Sequence, residues 1–80
     1  MQVQILFFGI TTDIVGSKSI HIDFSLGMTV ASIKEYLSEN YPKLNNYKNF
    51  SVAVNMEYST DDVAINSGDV IAIIPPVSGG

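Results

Sequence analysis

The sequence contains no cysteine, no arginine and no tryptophan. Without cysteine there is no disulfide, no zinc–thiolate or iron–sulfur site and no thiol nucleophile, as is typical of a small domain in a reducing compartment. Without arginine no bidentate clamp for phosphate exists, and a formal charge of −4 disfavours nucleic acids and anionic membranes as partners. No apolar run approaches the ~20 residues that span a bilayer. We therefore expect a soluble cytoplasmic protein that binds neither nucleic acid nor membrane.

Side chains suited to conventional catalysis are also scarce. The one histidine, His21, stands between two isoleucines on the outer face of a predicted strand, so a solvated imidazole is the simpler interpretation. Asp61 and Asp62 are adjacent and would point apart, which favours an acidic turn over paired acid–base catalysis. A chain this short buries only about 60% of its unfolded surface, which leaves little room for a deep pocket. We expect a protein that is not an enzyme on its own and binds no metal or cofactor.

Charged residues are few as well. They make up 15% of the chain, against an average of about 25%, while 46% of the residues are hydrophobic. Such a composition predicts apolar surface that is left exposed for a partner.

The apolar pattern predicts two strands near the start and one helix after them. Residues 2–8 and 20–24 alternate with the period of a strand and suggest an antiparallel hairpin. Between them, residues 9–15 form no clear element and residues 16–18 indicate a turn. Thr29 is a suitable N-cap for a helix that Pro42 ends by about residue 40. The apolar stripe of this helix comprises Val30, Ile33, Tyr36 and Leu37.

The second half of the chain predicts a loop and further strands. Residues 43–49 are expected to form a polar surface loop with Leu44 and Tyr47 as anchors. Residues 51–56 alternate, which places Val52, Val54 and Met56 together on one face, and a short strand is expected at Tyr58. A turn at 66–69 precedes an apolar run, 70–74, that suits a strand in mid-sheet. The element order indicates an α+β domain with one main helix packed across a mixed sheet.

A distinctive segment follows the last predicted strand. It consists of Pro75, Pro76, Val77, Ser78, Gly79 and Gly80. Proline has a fixed φ and no N–H, so the pair ends the strand and continues as a stiff extended segment. Glycine has no Cβ, so the last two residues can enter a channel too narrow for other residue pairs. A frayed terminus would explain the Gly-Gly but not the proline pair directly after a buried strand.

These residues carry a family resemblance. The turn and strand at 67–74 and the Pro-Pro-Val-Ser-Gly-Gly tail resemble the C-terminus of the molybdopterin synthase small subunit. Residues 5–9 and 14–16 are similar to the first strand and loop of that family, and 54–55 to its third strand. One departure is the Thr12-Asp13 pair, where the family usually has Arg-Glu, so an ion pair made from this loop is not carried over.

The resemblance implies a ubiquitin-like β-grasp domain at 1–74 and an extended tail at 75–80. In such sulfur carriers the carboxylate corresponding to Gly80 is adenylated by an E1-like activating enzyme that uses ATP. A sulfur donor protein then converts it to a thiocarboxylate, and the tail enters the large subunit of molybdopterin synthase. Sulfur passes there to cyclic pyranopterin monophosphate, in an assembly that is a heterotetramer in the family.

The resemblance also implies a docking surface made by Phe8, Tyr58 and Ile74, shared by the large subunit and the activating enzyme. Strand parity agrees with this surface in part, because Leu6 and Phe8 lie on the outer face of the first strand. Ala72 and Ile74 share the outer face of the last strand if Ile71 and Ile73 point to the core, so the two pairs could form one patch.

Two other functions remain open at this point. One is the related sulfur carrier for thiamin thiazole synthesis, which shares the Gly-Gly end but is typically shorter and lacks the Pro-Pro-Val run. The other is a β-grasp interaction module without chemistry, which would not need Gly79 and Gly80 for its activity.

Overall fold

The structure is a computed structural model that describes residues 1–47 and 50–75. Of residues 45–47 it describes the backbone and not the side chains. It contains five strands, two α-helices and a 3₁₀ helix. In chain order these are β1 (Gln2–Phe7), α1 (Ile10–Val15), β2 (Ser19–Asp23), α2 (Val30–Asn40), the 3₁₀ helix (Pro42–Tyr47), β3 (Ser51–Val54), β4 (Glu57–Tyr58) and β5 (Val70–Ile74).

The five strands form one mixed sheet in the order β2-β1-β5-β3-β4. β1 and β2 pair antiparallel, as the hairpin pattern predicts, whereas β1 and β5 pair parallel. β5 also pairs antiparallel with β3, so it has a strand on each side. An apolar run without alternation is expected for such a central strand, because both of its faces are covered or half-covered.

The hydrophobic core lies between α2 and one face of the sheet. Alternation along β1 and β5 turns Val3, Ile5 and Ile71 inward, and the α2 stripe packs against this face. The buried apolar residues of the core are Val3, Ile5, Phe7, Ile22, Val30, Ile33, Leu37, Leu44, Val52, Ile65, Ile71 and Ile73. Leu44 is the predicted anchor of the 43–49 segment; the side chain of Tyr47, the second predicted anchor, lies outside the described residues.

The segment after β1 differs from its sequence-based interpretation. Residues 9–15 showed no clear element, but the structure forms the short helix α1 there. Gly16, where the predicted turn begins, ends this helix with a left-handed φ of 80° and an N–H bonded to the Thr12 carbonyl. Six residues rich in β-branched side chains are too few for a visible 3.6-residue period and have weak helix propensity. Likewise, the expected loop at 43–49 is in part the 3₁₀ helix.

The strand predicted at 51–56 is also shorter than expected. β3 ends at Val54, and Asn55 and Met56 adopt positive φ values of 50° and 72° in a tight turn into β4. Met56 is therefore 97% exposed and does not share the face of Val52. The Asn55 side chain holds this turn, because its Oδ1 accepts a hydrogen bond from the Val70 N–H at 3.0 Å. The short strand expected at Tyr58 is present as β4.

No helix within the described ranges 1–47 and 50–75 is both long and apolar enough to cross a membrane.

The N-terminus of α2 supports a stability prediction. Thr29 and Ser32 form a capping box in which each side chain accepts a hydrogen bond from the other's backbone N–H, at 3.4 and 3.1 Å. Thr29→Ala should lower the free energy of unfolding by about 1 kcal/mol because it removes this acceptor. Thr29→Ser keeps the hydroxyl and should recover most of the loss in urea denaturation. Equal losses for both variants would show that the cap does not contribute.

Candidate functional site

An apolar row crosses the sheet on the face opposite α2. Leu6 of β1 is the register partner of Ala72 in β5, Ala72 pairs with Ala53 in β3, and Ala53 pairs with Tyr58 in β4. Directly paired residues project their side chains to the same side of a sheet. Because Ile71 and Ile73 are inward, the row faces outward, which is the parity that the sequence predicted for Leu6 and Ala72.

Two further residues extend this row towards one end of the sheet. Ile74, half-buried, follows Ile73 on β5 and shares the outward parity of Ala72. Phe8 comes directly after β1 and is 47% exposed, whereas Phe7 is 3% exposed. We call the accessible part of this set the outer-face patch; its members are Leu6, Phe8, Tyr58, Ala72 and Ile74, whereas Ala53, in the same row, is buried.

The backbone of Phe8 is fixed by a buried threonine in α1. The Thr11 hydroxyl donates to the Phe8 carbonyl at 2.6 Å and accepts from the Phe8 N–H at 3.1 Å. Thr11 itself is fully buried, and the neighbouring Thr12 hydroxyl donates to the Phe7 carbonyl at 3.1 Å. Sequence reasoning did not find this role, because a lone threonine in a poorly patterned segment gives no signal. These bonds hold Phe8 in place where the sheet ladder ends.

A shallow cleft of about 350 Å³ adjoins the patch at this end. Its lining residues are Leu6, Phe7, Phe8, Gly9, Thr12 and Lys18. Apart from Lys18 and Thr12 the lining is apolar or glycine, so the cleft extends the apolar surface of the patch towards α1.

Tyr58 lies on the edge strand β4, at the end of the row that is farthest from Leu6, and is 73% exposed. Next to it is the acidic turn, in which Asp61 makes a 2.6 Å ion pair with Lys34 of α2. Hydrogen bonds from the Thr60 hydroxyl and from its own backbone N–H hold the pKa of Asp62 below its ordinary value. The two carboxylates therefore have separate partners, in agreement with a turn rather than a catalytic pair.

Neither His21 nor the acidic residues form a metal site in the part of the chain that the structure describes. His21 is exposed on β2, opposite Gln4 of β1. Across residues 1–47 and 50–75, no three histidine or carboxylate side chains come together as metal ligands.

The predicted tail begins at the end of the sheet where Phe8 and the shallow cleft lie. Pro75 follows β5, and its ring Cγ lies 3.0 Å from the position that a Cβ on Gly9 would occupy. Gly9 directly follows Phe8, so the base of the tail adjoins one end of the outer-face patch. The other predicted tail residues, Pro76, Val77, Ser78, Gly79 and Gly80, lie outside the described residues.

Comparison with known proteins gives a consistent family assignment. The ThiS family profile matches residues 5–80. This chain belongs to the ThiS family. The molybdopterin synthase sulfur carrier subunit of Dictyostelium discoideum is 41% identical over 83 residues, an alignment that covers 99% of this chain and 96% of that protein. The predicted relationship to the molybdopterin synthase small subunits is thereby confirmed.

Solved structures of similar proteins confirm the fold. SAMP1 from Haloferax volcanii superposes with a TM-score of 0.86 at 26% identity, and the match covers 100% of both chains. A complex of subunits 1 and 2 of the molybdopterin-converting factor from Helicobacter pylori matches with a TM-score of 0.72 at 23% identity, covering 100% of this chain and of that chain. The predicted α+β class, a ubiquitin-like β-grasp with a main helix across a mixed sheet, is thus confirmed.

Comparison of the two adjacent phenylalanines tests whether the Phe8 side chain contributes to the stability of the fold. Phe7→Ala empties a core position and should lower the free energy of unfolding by about 3–5 kcal/mol. Phe8→Ala removes a ring that is half in solvent, so we expect a loss of about 1 kcal/mol or less. Urea denaturation of both variants measures the difference. A loss at Phe8 as large as that at Phe7 would mean that Phe8 is a core residue and not part of a surface.

Proposed function

We propose that this chain is the sulfur-carrying small subunit of a molybdopterin synthase and that its reactive group is the main-chain carboxylate of Gly80. The observation that carries the proposal is that Pro75 leaves the sheet beside the exposed Phe8. A stiff tail base next to an apolar docking surface is the arrangement that a carrier needs, because the partner can bind the domain and receive the tail at once. The high identity to a sulfur carrier subunit over nearly the full length supports it.

The chemistry suits a chain that has few reactive side chains. A carboxylate is a poor electrophile until adenylation gives it a good leaving group, and ATP with an E1-like activating enzyme supplies that step. A sulfur donor protein then replaces AMP with sulfur, which leaves a thiocarboxylate, a soft nucleophile that is ionised at neutral pH. Cysteine on the carrier is not needed, in accord with its absence.

We further propose that the tail, Pro75 to Gly80, then enters the active site of the large subunit and gives its sulfur to cyclic pyranopterin monophosphate. In this scheme the carrier holds no cofactor or metal, and the phosphate of the substrate is held by the large subunit, since this chain has no arginine. We also propose a cytoplasmic location, because a small domain without cysteine is typical of a reducing compartment.

The outer-face patch is the proposed docking surface for the large subunit and for the activating enzyme. Its predicted members Phe8 and Tyr58 are 47% and 73% exposed, and Ile74 is half-buried between them and the tail base. Burial of exposed aromatic rings at the centre of an interface supplies much of the free energy of binding. The same apolar surface can serve both partners in turn because each needs the tail to project from its edge.

Mass spectrometry tests the identity of the reactive group. The purified chain, incubated with ATP, its activating enzyme and a sulfur donor, should show one oxygen replaced by sulfur at Gly80. A variant that lacks Gly79 and Gly80 should stay unmodified. An unchanged mass of the full chain, under conditions that convert a known carrier, would refute the proposal. Full biological activity of the truncated variant would instead favour an interaction module without chemistry.

Binding measurements test the docking surface. Phe8→Ser or Tyr58→Ser should weaken binding to the large subunit about tenfold or more, because each removes an apolar ring from the patch. The matched control is Leu26→Ser, since Leu26 is an exposed apolar residue, at 96%, in the loop between β2 and α2. That variant should bind within about twofold of the unsubstituted chain. Equal losses at all three positions would contradict a docking role for the patch.

The second candidate function is that of the carrier for thiamin thiazole synthesis, which shares the Gly-Gly end of this sequence. A pull-down experiment with this chain as bait distinguishes the thiamin carrier from the molybdopterin carrier. Capture of thiazole synthase in place of the large molybdopterin synthase subunit would move the proposal to the thiamin carrier.

A further inference from the structure

The ends of β1 and β5 place two short segments side by side. The two strands are parallel neighbours, with Phe7 opposite Ile73. The chain therefore leaves the sheet in the same direction at both places, through Gly9 after β1 and through Pro75 after β5. At this point the Pro75 ring packs on Gly9, with Cγ 3.0 Å and Cδ 3.8 Å from the position of an added Cβ.

Gly9 differs from the other glycines that have positive φ in the described part of the chain. Its φ of 56° and ψ of −135° form a backbone conformation that residues with a Cβ avoid. Gly16, Gly27 and Gly68 also have positive φ, but no atom lies within 4 Å of their Cβ positions. Gly9 alone among these four combines an unusual backbone with a neighbour in contact, and that neighbour is the base of the tail.

The support beneath the Pro75 ring is held firmly. Gly9 lies between Phe8, whose two backbone groups are bonded to the buried Thr11 hydroxyl, and α1, where the Thr12 N–H donates to the Gly9 carbonyl at 3.1 Å. A side chain at position 9 would therefore strain this positive-φ backbone and would also press on the Pro75 ring.

We infer that Gly9 is a positioning residue for the sulfur-carrying tail and that it acts through the Pro75 ring. The inference rests on the proposed function. Proline has a fixed φ and no N–H, so the position of its ring determines the direction in which the tail starts. Pro75 is the first residue of the tail, so a displaced ring changes the direction from which a partner receives the tail, and reacting atoms must come within about 3–3.5 Å of one another. A start direction fixed in the free carrier also lowers the entropy cost of threading the tail into a partner.

Enzyme kinetics with the thiocarboxylated carrier and the large subunit test this role. Gly9→Ala should lower kcat about threefold and Gly9→Val about tenfold or more, because the larger side chain moves the proline further. KM for the carrier should stay within about twofold, since neither substitution changes a residue of the outer-face patch. Gly16→Ala and Gly16→Val are the matched controls, because Gly16 has a positive φ of 80° and open space around its Cβ. These should keep the kcat of the unsubstituted carrier even where stability falls.

A double substitution shows whether the effect passes through the ring. Pro75→Ala removes the contacting Cγ, so Gly9→Val combined with Pro75→Ala should be no slower than Pro75→Ala alone. Losses that multiply in the double variant, or equal losses at positions 9 and 16, would overturn the inference while leaving the carrier function in place. Failure of the unsubstituted chain to accept sulfur would instead remove the proposed function, and the inference with it.

Discussion

The parallel pairing of β1 with β5 is the contact on which the rest of the molecule depends. It joins the first strand of the chain to the last, so that their inward residues form the centre of the core beneath α2. It also sets Leu6 beside Ala72 on the outer face and Gly9 beside Pro75 at the sheet end. The core, the apolar patch and the base of the tail thus share one register. A shift of that register by one residue would exchange the inner and outer faces of β5 and separate all three.

Much of the fold could be predicted from the sequence because strand parity is a strong signal. The alternation of residues 2–8 and the capped stripe of α2 identified the core face and the main helix correctly. The parallel pairing of β5 with β1 was not predicted, since a continuous apolar run does not identify the neighbours of a strand. The helix α1 was missed because six residues are too short for periodicity, and the early end of β3 because positive φ at Asn55 and Met56 is a property of the turn rather than of an apolar pattern.

Some residues of the candidate site could be predicted from the sequence, and others could not. Phe8 and Tyr58 are exposed, as residues of a surface must be, and β5 ends at Ile74, directly before the proline pair that was expected to end it. The hydroxyl of Thr11 and the close approach of Gly9 were not foreseen. The Thr11 contact depends on the helical turn of α1, which the sequence pattern did not reveal. The approach of Gly9 to Pro75 joins segments far apart in the chain, and local sequence carries no measure of that distance.

The central position of β5 also has a mechanical consequence. A force applied along the tail, such as withdrawal from a narrow channel would exert, pulls β5 along its own axis. Hydrogen bonds to β1 on one edge and to β3 on the other lie across that axis, so the load is shared among both ladders at once instead of opening them one bond at a time. The segment that begins at Pro75 therefore follows a strand that is held along both of its edges.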